Sequence, residues 1–157
     1  MPKTRAFLLG LAATATLFTA TATAGFAQDA NPAVTARQSL MTLYAFNLGT
    51  LGAMAQGNVE YDAAAAQAAA DNLVKLTSLS AATMWPAGTD NMSIEGTRAL
   101  PALWENMADV GAKAGAVAEA AAGMAAAAGT DLASLQAAMG PLGGACTECH
   151  KAFRAPE

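Results

Sequence analysis

Two tracts, residues 63–70 and 120–128, are almost pure alanine, interrupted only by Gln67, Gly123 and Met124. Alanine is the strongest helix former, and no run of Val, Ile or Thr suggests a strand anywhere in the 157 residues. Such tracts suit close helix packing, not disorder. The chain is therefore expected to be all-α.

Punctuation divides the chain into four helical segments. Asn31 is a good N-cap and Pro32 suits the first helical position, so the first segment spans about residues 32–56 and Gly57-Asn58 ends it. Leu40, Leu43, Tyr44, Leu48, Leu51 and Met54 recur along it at helical spacing. The second spans about 62–83, with Leu73, Leu76 and Leu79 on its apolar face. An ordered loop rich in Pro, Gly and Asn covers 84–97. The third spans about 101–128, with Leu103, Met107, Val110, Val117 and Met124 inward. Thr130 or Asp131 caps the fourth, about 131–153. Pro141 removes a backbone donor within it, so a kink or a break is expected between 138 and 144. Short connections favour antiparallel neighbours, which gives an antiparallel, up-down-up-down four-helix bundle. The pairs Gly49/Gly52 and Gly111/Gly115 either let helices approach closely or are merely tolerated.

The first 27 residues read as a cleaved secretory signal peptide. Lys3 and Arg5 precede a weakly apolar Ala- and Thr-rich run, and Gly25-Phe26-Ala27 offers a small-x-small cleavage site. Residues 28–157 then form one domain, with no membrane association after cleavage. Losing Lys3 and Arg5 takes the formal charge from −4 to −6, which argues against nucleic acid as a partner. The expected location is the periplasm.

Both cysteines and the sole histidine fall within residues 146–150. An exported pair so close in sequence would make a disulfide of little stabilising value. Cys-x-x-Cys-His is instead the pattern of c-type haem attachment. Helical positions i, i+3 and i+4 share a face, so two thiols can each bond a porphyrin vinyl group while the imidazole meets the iron. A dithiol redox pair would sit in a β-α fold, and three ligands make poor structural zinc. The expected cofactor is one covalent haem c per chain, with Cys146 and Cys149 attaching it and His150 as metal ligand. Only seven residues follow His150, so a sixth ligand must come from upstream: a Met, another weak donor, or nothing.

The run "ARQSLM" in the first helix, "YDA" opening the second, "GT" after a tryptophan in the loop and the terminal "CTECHKAFR" together resemble the class II c-type cytochromes, most nearly cytochrome c′. The resemblance covers essentially the whole chain after the leader. It implies a four-helix bundle, usually a homodimer, with a high-spin five-coordinate iron. It places Met41 in the distal pocket, Arg37 and Gln38 near a haem propionate, and Arg154 near the proximal histidine. The spacing is compatible, since Arg37 and Met41, like His150 and Arg154, are i, i+4 pairs. Solvated surface charge remains an alternative for both arginines. For Met41 three readings stay open: an iron ligand, an apolar lid, or plain core. Trp85 and Trp104 are expected to pack the loop against the third helix.

Two functions follow. One is binding of an uncharged diatomic, chiefly nitric oxide and also carbon monoxide, on a distal side with no histidine to hydrogen-bond dioxygen. The other, with Met41 as ligand, is a low-spin carrier of single electrons, its acidic surface steering a basic redox partner. No nucleophile, base or oxyanion constellation points to an enzyme.

Overall fold

A computed structural model describes residues 31–156; the expected signal peptide lies outside them. Helix α1 spans Pro32–Ala55, α2 Ala63–Thr77, α3 Ala102–Glu105, α4 Met107–Ala127 and α5 Leu132–Phe153, with a 3-10 turn at Ala82–Met84. The long helices α1, α2, α4 and α5 pack in a ring, α1 on α2, α2 on α4, α4 on α5 and α5 on α1. This is the four-helix bundle expected from the alanine tracts.

Each long helix begins or ends for a local reason. Asn31 Oδ1 accepts from the backbone N–H of Ala33 at 3.0 Å and of Val34 at 3.3 Å. Asp62 caps α2 through Ala64 and Ala65, and Asp131 caps α5 through Ser134. Helix α1 closes with Asn58 N–H donating to Ala53 O and Gly57 N–H to Met54 O. That closure needs the left-handed backbone that Gly57 supplies at φ 72°.

Three boundaries depart from the sequence reading. Helix α2 stops at Thr77, not near 83, where Thr77 Oγ1 and Ser78 Oγ turn back to donate to Val74 O and Lys75 O. Leu79 thus lies beyond the helix and is exposed. The third segment is divided at Asn106, whose φ of −129° and ψ of 44° leave the helical region. Asn106 Nδ2 donates to Ala102 O at 2.9 Å, occupying the acceptor its own N–H would use in a continuous helix. Met107 is consequently exposed, whereas Leu103 and Met124 are buried. Finally, α5 runs unbroken through Pro141. An interior proline costs ~3 kcal/mol, but Leu135 and Leu142 flank it fully buried, and each such side chain contributes ~1.5–3 kcal/mol. Packing therefore outweighs the missing bond, and the ring of Pro141 sits exposed.

The core is built of Leu51, Leu73, Met124, Leu135 and Leu142 set among Ala66, Ala69, Ala70, Ala121 and Ala128. Of the paired glycines, Gly52 is buried with Met139 Cε 3.8 Å from where a Cβ would stand; Gly49, Gly111 and Gly115 border open space. Close approach is thus an argument for Gly52 alone.

Between α2 and α3 the chain wraps around one side chain. Arg37, on α1, is only 3% exposed. Its Nη1 donates to Met84 O at 3.3 Å and Thr89 Oγ1 at 2.7 Å, and its Nη2 to Thr89 O at 2.5 Å and Thr97 Oγ1 at 2.8 Å. The guanidinium carbon lies 4.7 Å from the Trp85 ring centre and 5.9 Å from that of Trp104. The two indoles meet edge to face, and Trp104 Nε1 donates to Trp85 O at 3.0 Å, the packing role expected of them. Farther along, Ala99 bridges to Arg154: Leu100 N–H donates to Phe153 O and Ala155 N–H to Arg98 O. The loop is thereby fastened to α1 at one end and to the end of α5 at the other.

Candidate cofactor site

Because α5 is continuous, Cys146, Cys149 and His150 share one face of its last third. Both thiols are unpaired and half-buried. Burial pushes the Cys146 thiol up. Burial also pushes Cys149 up; Lys113 opposes that, while Cys146 and Asp109 add to it. The His150 imidazole is pushed down by burial first, then by Arg154 and Arg98. The site therefore presents two neutral thiols and a neutral imidazole.

Each state bears on the chemistry. A redox dithiol depends on a thiol with a lowered pKa, typically at a helix N-terminus. These thiols are raised and stand near a C-terminus, so the dithiol reading fails. Neutral imidazole is the form with a lone pair for a metal. Two accessible, unlinked thiols beside it suit addition across two vinyl groups of one porphyrin. The residues present thus fit a covalently attached haem.

Facing this surface is α1. Burial first, and then electrostatic coupling to Cys146, raises the Tyr44 phenol, which sets the two near one another where α1 packs on α5. Met41, one turn before Tyr44, is 40% exposed, while its neighbour Leu40 is 7% exposed. Leu40 fills the core and Met41 does not, which removes the plain-core reading of Met41.

The structure places the polar candidates as follows. Arg37 is no solvated surface charge; both its terminal nitrogens are committed to the 84–97 loop, leaving Nε for any further acceptor. Gln38 is exposed and donates from Nε2 to Gly96 O at 2.6 Å, at a turn where Gly96 has φ 78°. Arg154 is exposed and close enough to lower the His150 pKa. Arg98 does the same from 52 positions before His150, held by Nε and Nη2 bonds to Ala155 O at 2.9 and 2.6 Å. Sequence reading did not single out Arg98 or Lys113. Neither has a motif around it, and only the Ala99–Arg154 bridge and the α4–α5 packing bring them to the site.

Paired thiols and an imidazole on one helix of a four-membered bundle define a haem protein of the c type. Residues 32–154 match the family described as Cytochrome C′, and the chain belongs to that family. It is 46% identical over 145 residues to cytochrome c-554 of Cereibacter sphaeroides, covering 90% of this chain and 95% of that protein. It is 41% identical over 140 residues to cytochrome c′ of the same species, covering 89% and 94%. The solved structure of cytochrome c′ from Rhodobacter Spheriodes superposes with a TM-score of 0.78 at 40% identity, over 80% of this chain and 96% of that one. The cofactor is accordingly covalent haem c, and the chain is a haem cytochrome.

Proposed function

We propose that Cys146 and Cys149 hold the haem through thioether bonds, that His150 is the one protein ligand of its iron, and that the open side binds uncharged diatomics, chiefly nitric oxide. Bound haem supplies an iron that takes up a diatomic or a single electron. The chain supplies the rest. His150 is kept neutral by burial and by two arginines, so its lone pair is available. Arg154 and Arg98 offer the imidazole no hydrogen-bond acceptor, and their charges favour the uncharged ring, the form that could hold a bound haem, over imidazolium. Arg37 and Gln38 fix the loop edge through Thr89, Thr97 and Gly96, and Arg37 keeps Nε in reserve for a propionate.

The observation that carries this reading is Met41: partly exposed, outside the core, and one turn before Tyr44 on the helix that packs against α5. A thioether there covers an open site as an apolar lid, with no donor to stabilise polar bound dioxygen. Relatives support the ligand class. Solved structures similar to this chain include a nitric oxide complex of a variant of cytochrome c prime from Alcaligenes xylosoxidans, at 33% identity and TM-score 0.69. A carbon monoxide-bound variant from that organism is similar at 34% and 0.68.

The same exposure favours a second reading, in which the Met41 sulfur reaches the iron and makes a low-spin electron carrier. Absorption spectra decide between them. A high-spin ferrous spectrum that changes on adding carbon monoxide is expected. A low-spin spectrum indifferent to carbon monoxide would promote Met41 to ligand and sink the gas-binding reading.

We further propose that residues 1–27 direct export and are removed, that the domain of residues 28–157 works in the periplasm, that it forms a homodimer, and that it is no enzyme. Among the described residues no helix is long and apolar enough to cross a membrane. One similar structure is described as a cytochrome c′ with ligand-controlled dimer dissociation, at 30% identity and TM-score 0.72.

A further inference from the structure

We infer that Arg98 is a positioning residue for His150: by gripping Ala155 it keeps the last turn of α5 wound, and so holds the imidazole where the iron needs it. The inference deepens the proposed function and rests on its assignment of His150 to the iron. His150 stands in the last turn of α5, which ends at Phe153. Carbonyls there have no partner farther along the helix, and helix ends fray. A fraying turn is a poor seat for a metal ligand, which must be held to within about 0.5 Å.

A segment of the long loop removes that weakness. Arg154 N–H closes the helix on His150 O at 3.0 Å, and the residues on either side are tied across to 98–100. Leu100 N–H donates to Phe153 O at 2.9 Å, and Ala155 N–H donates to Arg98 O at 2.8 Å. The Arg98 side chain then returns to the same residue, with Nε at 2.9 Å and Nη2 at 2.6 Å from Ala155 O. Both backbone polar groups of Ala155 are therefore held by Arg98. Phe153 and Ala99, one on each side of the tie, are both buried.

The segment is itself anchored away from α5. Ala99 O accepts from Asn91 N–H at 2.8 Å, and Ala99 N–H donates to Thr97 Oγ1 at 3.3 Å. That hydroxyl also accepts from Arg37 Nη2 at 2.8 Å. Arg98 thus restrains the end of α5 instead of moving with it. Ala155 and Pro156 are one wall of an open cleft of about 350 Å³ that His150, Thr147 and Arg98 also line. Releasing them would widen the space beside the imidazole. The effect runs through geometry and not through charge, because it needs two nitrogens converging on one carbonyl oxygen, a fork that an ammonium lacks.

The test uses the ferric holoprotein with isotope-labelled histidine. His150 is the sole histidine of the chain, so every ring signal comes from one residue. In the parent these signals are expected far outside their ordinary range, shifted by the paramagnetic iron. Arg98→Gln should move and broaden them, and the amides of residues 150–154 should exchange with solvent about tenfold faster relative to those of Leu51 and Leu73 in the core. Arg98→Lys keeps the charge and should recover little. Ala155→Pro removes the N–H that donates to Arg98 O and alters no charge. Arg154 already has the extended backbone that a following proline requires, at φ −121° and ψ 128°. Ala155→Pro should therefore move the ring signals in the same direction as Arg98→Gln, and the two changes together should add little to either alone. Full recovery in Arg98→Lys, or ring signals unmoved by Ala155→Pro, would mean that Arg98 acts by charge and would overturn the inference. Signals identical in the parent and in Arg98→Gln would overturn it too. If Arg98→Gln does not fold, Ala155→Pro decides alone. Ring signals at ordinary positions in the parent would instead sink the assignment of His150 to the iron, so the two failures are distinguishable.

Discussion

Arg37 is the side chain on which most of the loop depends. It is a buried cation with no carboxylate among its hydrogen-bond partners; four neutral oxygens and two indole faces compensate it. Such a guanidinium stabilises only while every partner is in place. Arg37→Met would strand the oxygens of Met84, Thr89 and Thr97 and should cost ~3 kcal/mol or more in denaturant unfolding. Arg37→Lys should recover little of that, because an ammonium cannot serve a fork of acceptors. A loss below ~1 kcal/mol would show that the loop does not depend on the clamp. Met41 has the reverse character, being exposed and replaceable without harm to the core. Met41→Ala should speed diatomic binding about tenfold or more, equivalent to removing ~1.4 kcal/mol of barrier. An unchanged stopped-flow rate would mean that this thioether does not guard the open side.

At the level of elements, α5 carries a defect that the site tolerates. Pro141 interrupts the helix's hydrogen bonding five residues before Cys146, yet the helix continues because Leu135 and Leu142 are locked into the core. Pro141→Ala restores a donor for Ala137 O at an exposed position, so unfolding free energy should rise by ~1–3 kcal/mol with the haem spectrum unchanged. No gain would mean that the helix bends there to satisfy that carbonyl another way. The contrast with Asn106 shows what sequence can and cannot tell. Proline was the expected breaker and was overruled by its buried neighbours; Asn106, inside the segment expected to span about 101–128, instead separates α3 from α4 with its side chain bonded to Ala102 O. Caps, alanine tracts and the Cys146/Cys149/His150 spacing were legible because each is decided within one or two turns. Arg98 beside His150, Lys113 beside Cys149, and the four oxygens around Arg37 were not. Those contacts are set by where the loop and α4 return, which no local pattern encodes.

At the scale of the molecule, several large apolar side chains of the described residues stay exposed once the ring of helices has closed, and two of them share α1. The core is largely alanine and leucine, and it draws from α1 the residues Leu40, Leu51 and Met54. Leu43 and Phe46, on another side of the same helix, remain 49% and 71% exposed. Burying a side chain of this size is worth ~1.5–3 kcal/mol, and a two-fold interface counts each residue twice. Contact between two α1 surfaces would therefore bury four large side chains at once. The proposed homodimer should accordingly depend on Phe46. Phe46→Glu removes the apolar area and opposes two carboxylates across the axis, which should weaken association by at least about a hundredfold, or ~2.7 kcal/mol. Because Phe46 makes no contribution to the core cluster, the helical circular dichroism of the variant should match that of the parent. Sedimentation equilibrium would then show a dimer for the parent and a monomer for the variant at the same concentration. A parent that remains monomeric at high concentration, or a variant that still dimerises as tightly, would exclude α1 as the seam.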